Sequence, residues 1–461
     1  MTAPHKFPCD FLANARRRAG DNRGTVVGWC GQGHHATVPR RATMLRVKTR
    51  LTAVDAQFYW MSAKIPNDQL LVYAFAGQPV DPDMAVAEVL TRARSGPELQ
   101  VRVADGCPLT YPAWVRRDVD DSLVALHGDL GWQDCLDAVG RLADEPLDLQ
   151  QCAWRLHLFA PVIGMPGGAG PVTVAVLQIG HALGDGLRSA ALAGVLFGRA
   201  APIPAPAPAG GGLLVRRAAD ASRARRQLER DTTAGRVPPP APPRPALSIN
   251  TRPGDVRAVR TLTRNRAQLA GPTVTAAVLA AISAALSEYL RARGQDTSAL
   301  GAEVPMAKPG VRLGNNHFGN VGIGLHPDVA ATGERARMIA AELADRRRRG
   351  QHPAFRAGDL ALAAVPAALL HWGVNQFDAD ARSSVVTGNT VVSSVNRGPA
   401  DLRFGGLPVI LTAGYPALSP MMGLTHGAHG LGDTIAISVN AAATAIADVD
   451  DYVDRLDTAL G

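Results

Sequence analysis

Residues 200–245 cannot build a core, and that limits what the rest of the chain can do. Residues 200–212 alternate proline with alanine, and 237–245 are nearly all proline. Such segments favour extended, semi-rigid polyproline conformations that bury little apolar surface. Between them, 216–230 is dense in arginine and has the pattern of a polar helix. The bridge predicts an N-terminal unit over 44–199, a linker over 200–250 and a C-terminal unit over 251–461. With 461 residues, 46% of them hydrophobic and 19% charged, the chain holds enough apolar material for two ordinary cores. Residues 1–43 are rich in Arg, Gly and His without sustained periodicity and read as a disordered extension. Apolar residues begin to recur after Met44 (Leu45, Val47, Leu51, Val54, Phe58), which makes Met44 a candidate start of translation.

Both units alternate strand and helix patterns, the signature of an α/β chain. In the first, strands are predicted over 70–75, 154–159 and 172–179, and helices over 83–93, 130–142 and 186–197. The run 172–179 is continuously apolar and β-branched, as expected of a strand buried on both faces. In the second, Val274, Val278, Ile282, Leu286 and Tyr289 step at helical spacing over 274–290, with Thr273 placed to cap the start and Gly294 beyond the end. Strands are expected over 302–306, 319–325, 390–395, 409–412 and 434–439, and helices over 334–349 and 449–460. The glycine-rich stretch 423–432, with His426 and His429, reads as a flexible loop.

Composition excludes several functions. Arginine carries nearly all of the net charge of +8, since the only lysines are Lys6, Lys48, Lys64 and Lys308. Its clusters read as solvated faces, with attraction to anionic lipid or a phosphorylated cosubstrate as the sharper alternative. They are not interleaved with stacking aromatics, so no nucleic-acid partner is expected. Cys9, Cys30, Cys107, Cys135 and Cys152 are scattered and odd in number, which suits free thiols in a reducing cytoplasm. Cys30 with His34 and His35 lacks a second ligand pair, so no metal is expected. No phosphate-cradling glycine loop of the nucleotide-binding types is present.

The chemistry converges on one segment. Val174 to Ile179 ends a buried strand; Gly180-His181-Ala182-Leu183-Gly184-Asp185-Gly186 then turns and opens a helix. A histidine there sits at a strand's carboxyl edge, where ligands commonly reach α/β sheets. A neutral imidazole can take a proton from a bound hydroxyl. Asp185 suits an ion pair that fixes the loop, and Gly186 a tight backbone. On composition alone, a lone histidine after a strand is more often structural than catalytic.

A wider resemblance reverses that balance. Histidine, three residues, then Asp-Gly at a strand-to-helix junction resembles the core motif of the coenzyme A-dependent acyltransferase and condensation-domain superfamily. Within it the chain most resembles the bacterial wax ester synthase/diacylglycerol acyltransferase (WS/DGAT) family, from about Leu51 onward. Leu51-Thr52-Ala53-Val54-Asp55-Ala56-Gln57-Phe58 is similar to the family's opening Leu-Ser-x-x-Asp-x-x-Phe. Pro146-Leu147-Asp148 with Trp154-Arg155-Leu156, Val304-Pro305-Met306 with Gly314-Asn315, and Ser394-Val395-Asn396-Arg397-Gly398-Pro399 resemble later family segments in order. The resemblance implies two chloramphenicol-acetyltransferase-like α/β subdomains joined by the crossing linker, with a tunnel between them and His181 near its middle. It implies acyl transfer from an acyl thioester, acyl-CoA or an acyl carrier protein, to an alcohol or amine, with no bound cofactor. It makes His181 the general base, supported by Asp185, Gly186 and Asn315. Oxyanion donors are expected near Ser393 and Ser394 and among amides by Gly184. No covalent acyl-enzyme is implied.

Three departures stand out. Gly180 replaces the first of two adjacent motif histidines. Thr275 and Ala276 stand where the family carries Asn-Asp, and Lys308-Pro309 where an arginine is common. The last leaves Lys308 and Arg312 as candidate partners of Asp185. Two other readings follow: a specialised-metabolite or condensation-type enzyme fed by a carrier protein, and a non-catalytic descendant binding a lipid or protein. A cytoplasmic chain, in peripheral contact with membrane or lipid bodies, is the expected setting. A protein beginning at Met44 is expected to keep the melting temperature and turnover of the full chain; a large fall in melting temperature would show instead that the extension packs.

Overall fold

The computed structural model describes residues 47–208 and 212–461, so the extension read over 1–43 and the start at Met44 lie outside the described residues. In chain order the main strands are β1 Gln69–Ala76, β2 Val124–His127, β3 Trp154–Ile163, β4 Val172–Ile179, β5 Arg257–Asn265, β6 Gly301–Ala307, β7 Phe318–Gly324, β8 Thr390–Asn396, β9 Leu407–Gly414, β10 Leu424–Leu431 and β11 Thr434–Ala442. The helices are α1 Ala53–Ser62, α2 Pro82–Ser95, α3 Trp132–Leu142, α4 Gly186–Leu196, α5 Leu214–Thr233, α6 Val274–Arg291, α7 Thr332–Gly350, α8 Pro353–Ala363, α9 Ala367–Asn375 and α10 Val449–Leu460.

Two mixed sheets organise these elements. The first runs β9-β1-β4-β3-β2, with the short strand Arg403–Phe404 outside β9. The second runs β5-β11-β10-β8-β6-β7. Strand β9 lies beyond the linker in sequence yet pairs antiparallel with β1, Thr412 opposite Tyr73. The C-terminal half therefore completes the N-terminal sheet. The linker itself carries α5, which packs on α8.

Strand β4 shows why its sequence is continuously apolar. It is central, flanked by β1 and β3, and every residue is buried. Ala175, Leu177 and Ile179 enter one core, under α2 and α4. Val172, Val174 and Val176 enter another, which also takes Val259 of β5 and Ala436 of β11. That second cluster ties the halves together through apolar burial. In the second sheet, α6 begins at Thr273, whose hydroxyl accepts the Ala276 N–H at 3.2 Å. It is long and apolar enough to cross a membrane, but most of it is buried inside the core.

Two expectations need correction. The stretch 423–432 is no loop: β10 is a fully buried strand between β8 and β11. Its glycines mark close packing, because a Cβ on Gly427 would meet Ser438 Oγ at 2.5 Å as well as the Gly414 carbonyl. The reading also passed over β5. Its arginines look like a solvated run, but Arg260 pairs with Asp450 at 2.7 Å and Arg264 with Asp457 at 2.8 Å, both on α10.

Candidate active site

Strand β4 hands over at Gly180 to a single 3₁₀ turn, His181–Leu183, and α4 starts at Gly186. Asp185 is the N-cap: its Oδ1 accepts the Arg188 N–H at 3.0 Å, satisfying an otherwise orphan helix donor. The same carboxylate accepts Arg312 Nη1 at 2.8 Å and the His317 N–H at 2.9 Å, both on Oδ2. Arg312 is thus its partner. Lys308, the other candidate, pairs with Asp359 at 2.6 Å. Asp185 is buried and makes no hydrogen bond to the His181 ring. It holds the turn that carries His181.

The imidazole lies against the Phe58 ring of α1, centroids 4.2 Å apart and planes within 4°. Phe318, at the start of β7, is on the ring at 5.8 Å. Nδ1 of His181 lies 2.9 Å from Asn316 Oδ1. The Asn316 amide can face only one way. Its Nδ2 donates to Asp55 Oδ1 at 3.0 Å and to the His181 carbonyl at 2.8 Å, and both of those are acceptors. Oδ1 therefore points at the ring and requires a proton on Nδ1, which leaves the Nε2 lone pair free. Asp55 is anchored in turn by the Asn315 N–H at 2.9 Å, the Asn316 N–H at 3.0 Å and the Thr52 hydroxyl at 2.7 Å. Burial pushes the His181 pKa below its ordinary value, against opposing contributions from hydrogen bonds and Asp185. The ring thus carries its proton on Nδ1 and presents an unprotonated Nε2.

The remaining sequence candidates separate in space. Asn315 stands in the site: its carbonyl accepts the Asp185 N–H at 3.2 Å, and its Nδ2 donates to the Ala182 carbonyl at 3.3 Å. Gly186 lets the halves approach, since a Cβ there would meet Val395 Cγ2 at 3.1 Å. Ser394 faces away, its hydroxyl 2.8 Å from that of Thr275 at the start of α6. Ser393, its neighbour on the strand, projects to the opposite face, and its hydroxyl has no partner among the described residues. The Gly184 N–H already donates to the His181 carbonyl at 3.3 Å, so it is not a free oxyanion donor. His426 and His429 sit three apart on β10 and so face opposite sides of the sheet. Among the described residues, no group of three or more His, Cys, Asp or Glu side chains could hold a metal ion.

Gly180 has a steric explanation. A Cβ there would overlap the Leu149 side chain, so Leu149 fills the space where the related motif places its first histidine. Sequence reading missed the roles of Asp55, Asn316, Phe58 and Phe318. Asp55 and Phe58 were visible only as parts of an opening motif, and Asn316 only as the residue after the Gly314-Asn315 segment.

Part of the sequence and the whole fold are similar to known proteins. Residues 314–461 match the family model described as the WS/DGAT C-terminal domain. The fold is similar to a wax ester synthase/diacylglycerol acyltransferase from Marinobacter aquaeolei VT8, with TM-score 0.58 and 19% identity, covering 89% of this chain and 98% of that one. It is also similar to the first condensation domain of the calcium-dependent antibiotic synthetase, at TM-score 0.54 and 15% identity over 90% of this chain and 95% of that one. The starter condensation domain of rhizomide synthetase, solved with C8-CoA and Leu-SNAC, gives TM-score 0.51 and 14% identity over 91% of this chain and 94% of that one. No curated protein sequence matches significantly.

Asp185→Asn should leave Arg312 buried beside a neutral group and lower stability by on the order of 3 kcal/mol in urea denaturation, with activity falling too. Full stability with lost activity would instead point to a direct chemical role for Asp185. Gly180→His should cost about 1–3 kcal/mol by overpacking Leu149. Adding Leu149→Ala should recover much of that loss, and equal losses in the single and double variants would contradict the steric account.

Proposed function

We propose that this chain, whose residues 314–461 match the WS/DGAT C-terminal domain model, is an acyltransferase of that family, and that His181 is the general base moving an acyl group from a thioester to an acceptor hydroxyl. The observation that carries this reading is the Nε2 lone pair of His181, held in one tautomer by Asn316 and Asp55. Nε2 takes the proton as the acceptor oxygen attacks the thioester carbonyl. The tetrahedral intermediate collapses with cleavage of the C–S bond, and the imidazolium returns its proton to the leaving thiolate. The products are an ester and a free thiol, and the histidine ends as it began.

Holding both substrates at the ring turns a bimolecular attack into a local one. Partly exposed Pro305, Phe318 and Ser393 support an open route along the second sheet to the ring. The developing oxyanion needs a donor, and the Ser393 hydroxyl, on that face by strand alternation, is the candidate. Acyl-CoA is the donor this reading favours, and the linker and the two halves serve as the walls of the route. A carrier-protein donor is the second reading, favoured by Gly180 and by Thr275-Ala276 standing in place of the family's Asn-Asp, with Thr275 bonded to Ser394. Assay with coenzyme A and pantetheine-carrier thioesters separates the two.

His181→Ala should slow the chemical step by about 10²–10⁴ and leave thioester binding nearly unchanged. The wild-type rate should rise with pH as the imidazole loses its proton. Because burial lowers that pKa, the limb should lie below the ordinary value of about 6.5 and vanish in the variant. Single-turnover rates across pH provide the check, and a variant turning over at the wild-type rate removes His181 from the mechanism.

A further inference from the structure

One buried carboxyl group is not used by the mechanism above. Glu303 lies on β6 and is 4% exposed. Its neighbours Ala302 and Val304 enter the core beneath α6, so by strand alternation Glu303 points to the opposite face, toward the first half. Its Oε2 accepts Asn320 Nδ2 at 3.2 Å. No cation and no second donor reaches it among the described residues. Burial pushes its carboxyl up to about 7. A buried carboxyl with a single hydrogen bond is costly to keep, and the fold supplies no partner that accounts for it.

Its surroundings lead to the reacting centre. On β7, Asn320 shares its face with Phe318, two residues or about 7 Å along the strand, and the Phe318 ring lies 5.8 Å from that of His181. On β8, Val391 is opposite Glu303, and Ser393 follows on the same face. At the other end the face is closed. Gly322, opposite Glu303, has no room for a side chain, because a Cβ would meet Ala241 of the linker at 2.8 Å and the Thr387 carbonyl at 2.9 Å. The face is thus covered at Gly322, with buried Glu303 and exposed Asn320 forming a polar pair between that cover and His181.

We propose that Glu303, oriented by Asn320, recognises the acceptor by accepting a hydrogen bond from a second polar group, a hydroxyl or an ammonium, remote from the hydroxyl that His181 deprotonates. The inference rests on the acyl-transfer reading. It makes the substrate class a bifunctional acceptor, a diol or an amino alcohol, and not a plain long-chain alcohol. Glu303 is a specificity residue in this role and takes no part in the proton transfer.

The test compares octane-1,8-diol, 8-aminooctan-1-ol and octan-1-ol as acceptors for octanoyl-CoA, using the full chain. The wild type should favour a bifunctional acceptor at least tenfold in kcat/KM. Glu303→Leu should abolish that preference, leaving the KM for octanoyl-CoA and the octan-1-ol rate unchanged. Its melting temperature should equal or exceed that of the wild type, since a lone buried carboxyl is gone. Glu303→Gln separates the sources: a diol preference survives it and an ammonium preference does not. Should Glu303→Leu fail to fold, an unaltered preference for both bifunctional acceptors in Glu303→Gln overturns the assignment when that preference also survives Asn320→Leu. Calorimetric binding of the same compounds without thioester reads recognition apart from chemistry, so failure of acyl transfer is distinguishable from failure at Glu303. A wild type with no preference, in turnover or binding, overturns the proposal, as does a preference that survives Glu303→Leu.

Discussion

The carboxylate of Asp185 holds the two halves in register at the point where chemistry is proposed. It caps α4 in the first half while gripping Arg312 and the His317 amide in the second. A buried ion pair of this kind is weak evidence for net stability, because desolvation offsets much of the attraction. Its value lies in geometry. Each oxygen has donors from fixed directions, so the His181 turn has one position relative to 312–317. If the halves separated, Arg312 and Asp185 would both be left without their partner.

Asp55 makes a second tie of the same logic. It sits on α1, far from 315–316 in sequence, yet accepts both of those backbone N–H groups and the Asn316 side chain. Burial raises its carboxyl pKa while every one of these hydrogen bonds opposes the rise. The consequence passes through Asn316 to the ring, where one tautomer is compatible with the amide's orientation. The base is therefore assembled from both halves: the histidine and Asp55 from one, Asn316 and Arg312 from the other.

The departures from the resembled family pattern leave the hydrogen bonds of the His181 ring intact. Leu149 occupies the space opened by Gly180. Thr275, the first of the two residues standing where Asn-Asp is expected, bonds the Ser394 hydroxyl instead. Lys308 pairs with Asp359, leaving Arg312 to Asp185. None of these residues bonds to Nε2 of His181, so the proposed base keeps its lone pair. That pattern is consistent with retained acyl transfer and an altered acceptor.

What the sequence determined alone was local. Continuous apolar character made β4 legible, because a central strand buried on both faces leaves no polar position. Thr273 and the helical spacing after it made α6 legible, and His181 with Asp185-Gly186 marked the turn between strand and helix. Tertiary structure decided the rest, because the partners come from distant segments. Gly427 looked like loop flexibility until Ser438 and the Gly414 carbonyl were seen against it. Strand β5 carried no sequence reading, and its arginines find their aspartates on α10. Arg312 could not be separated from Lys308 by spacing; Asp359 settled it by taking the lysine. The protonation pattern of His181 was beyond any local reading, since it depends on an amide whose direction is set by Asp55, a carboxylate more than a hundred residues away from the histidine along the chain.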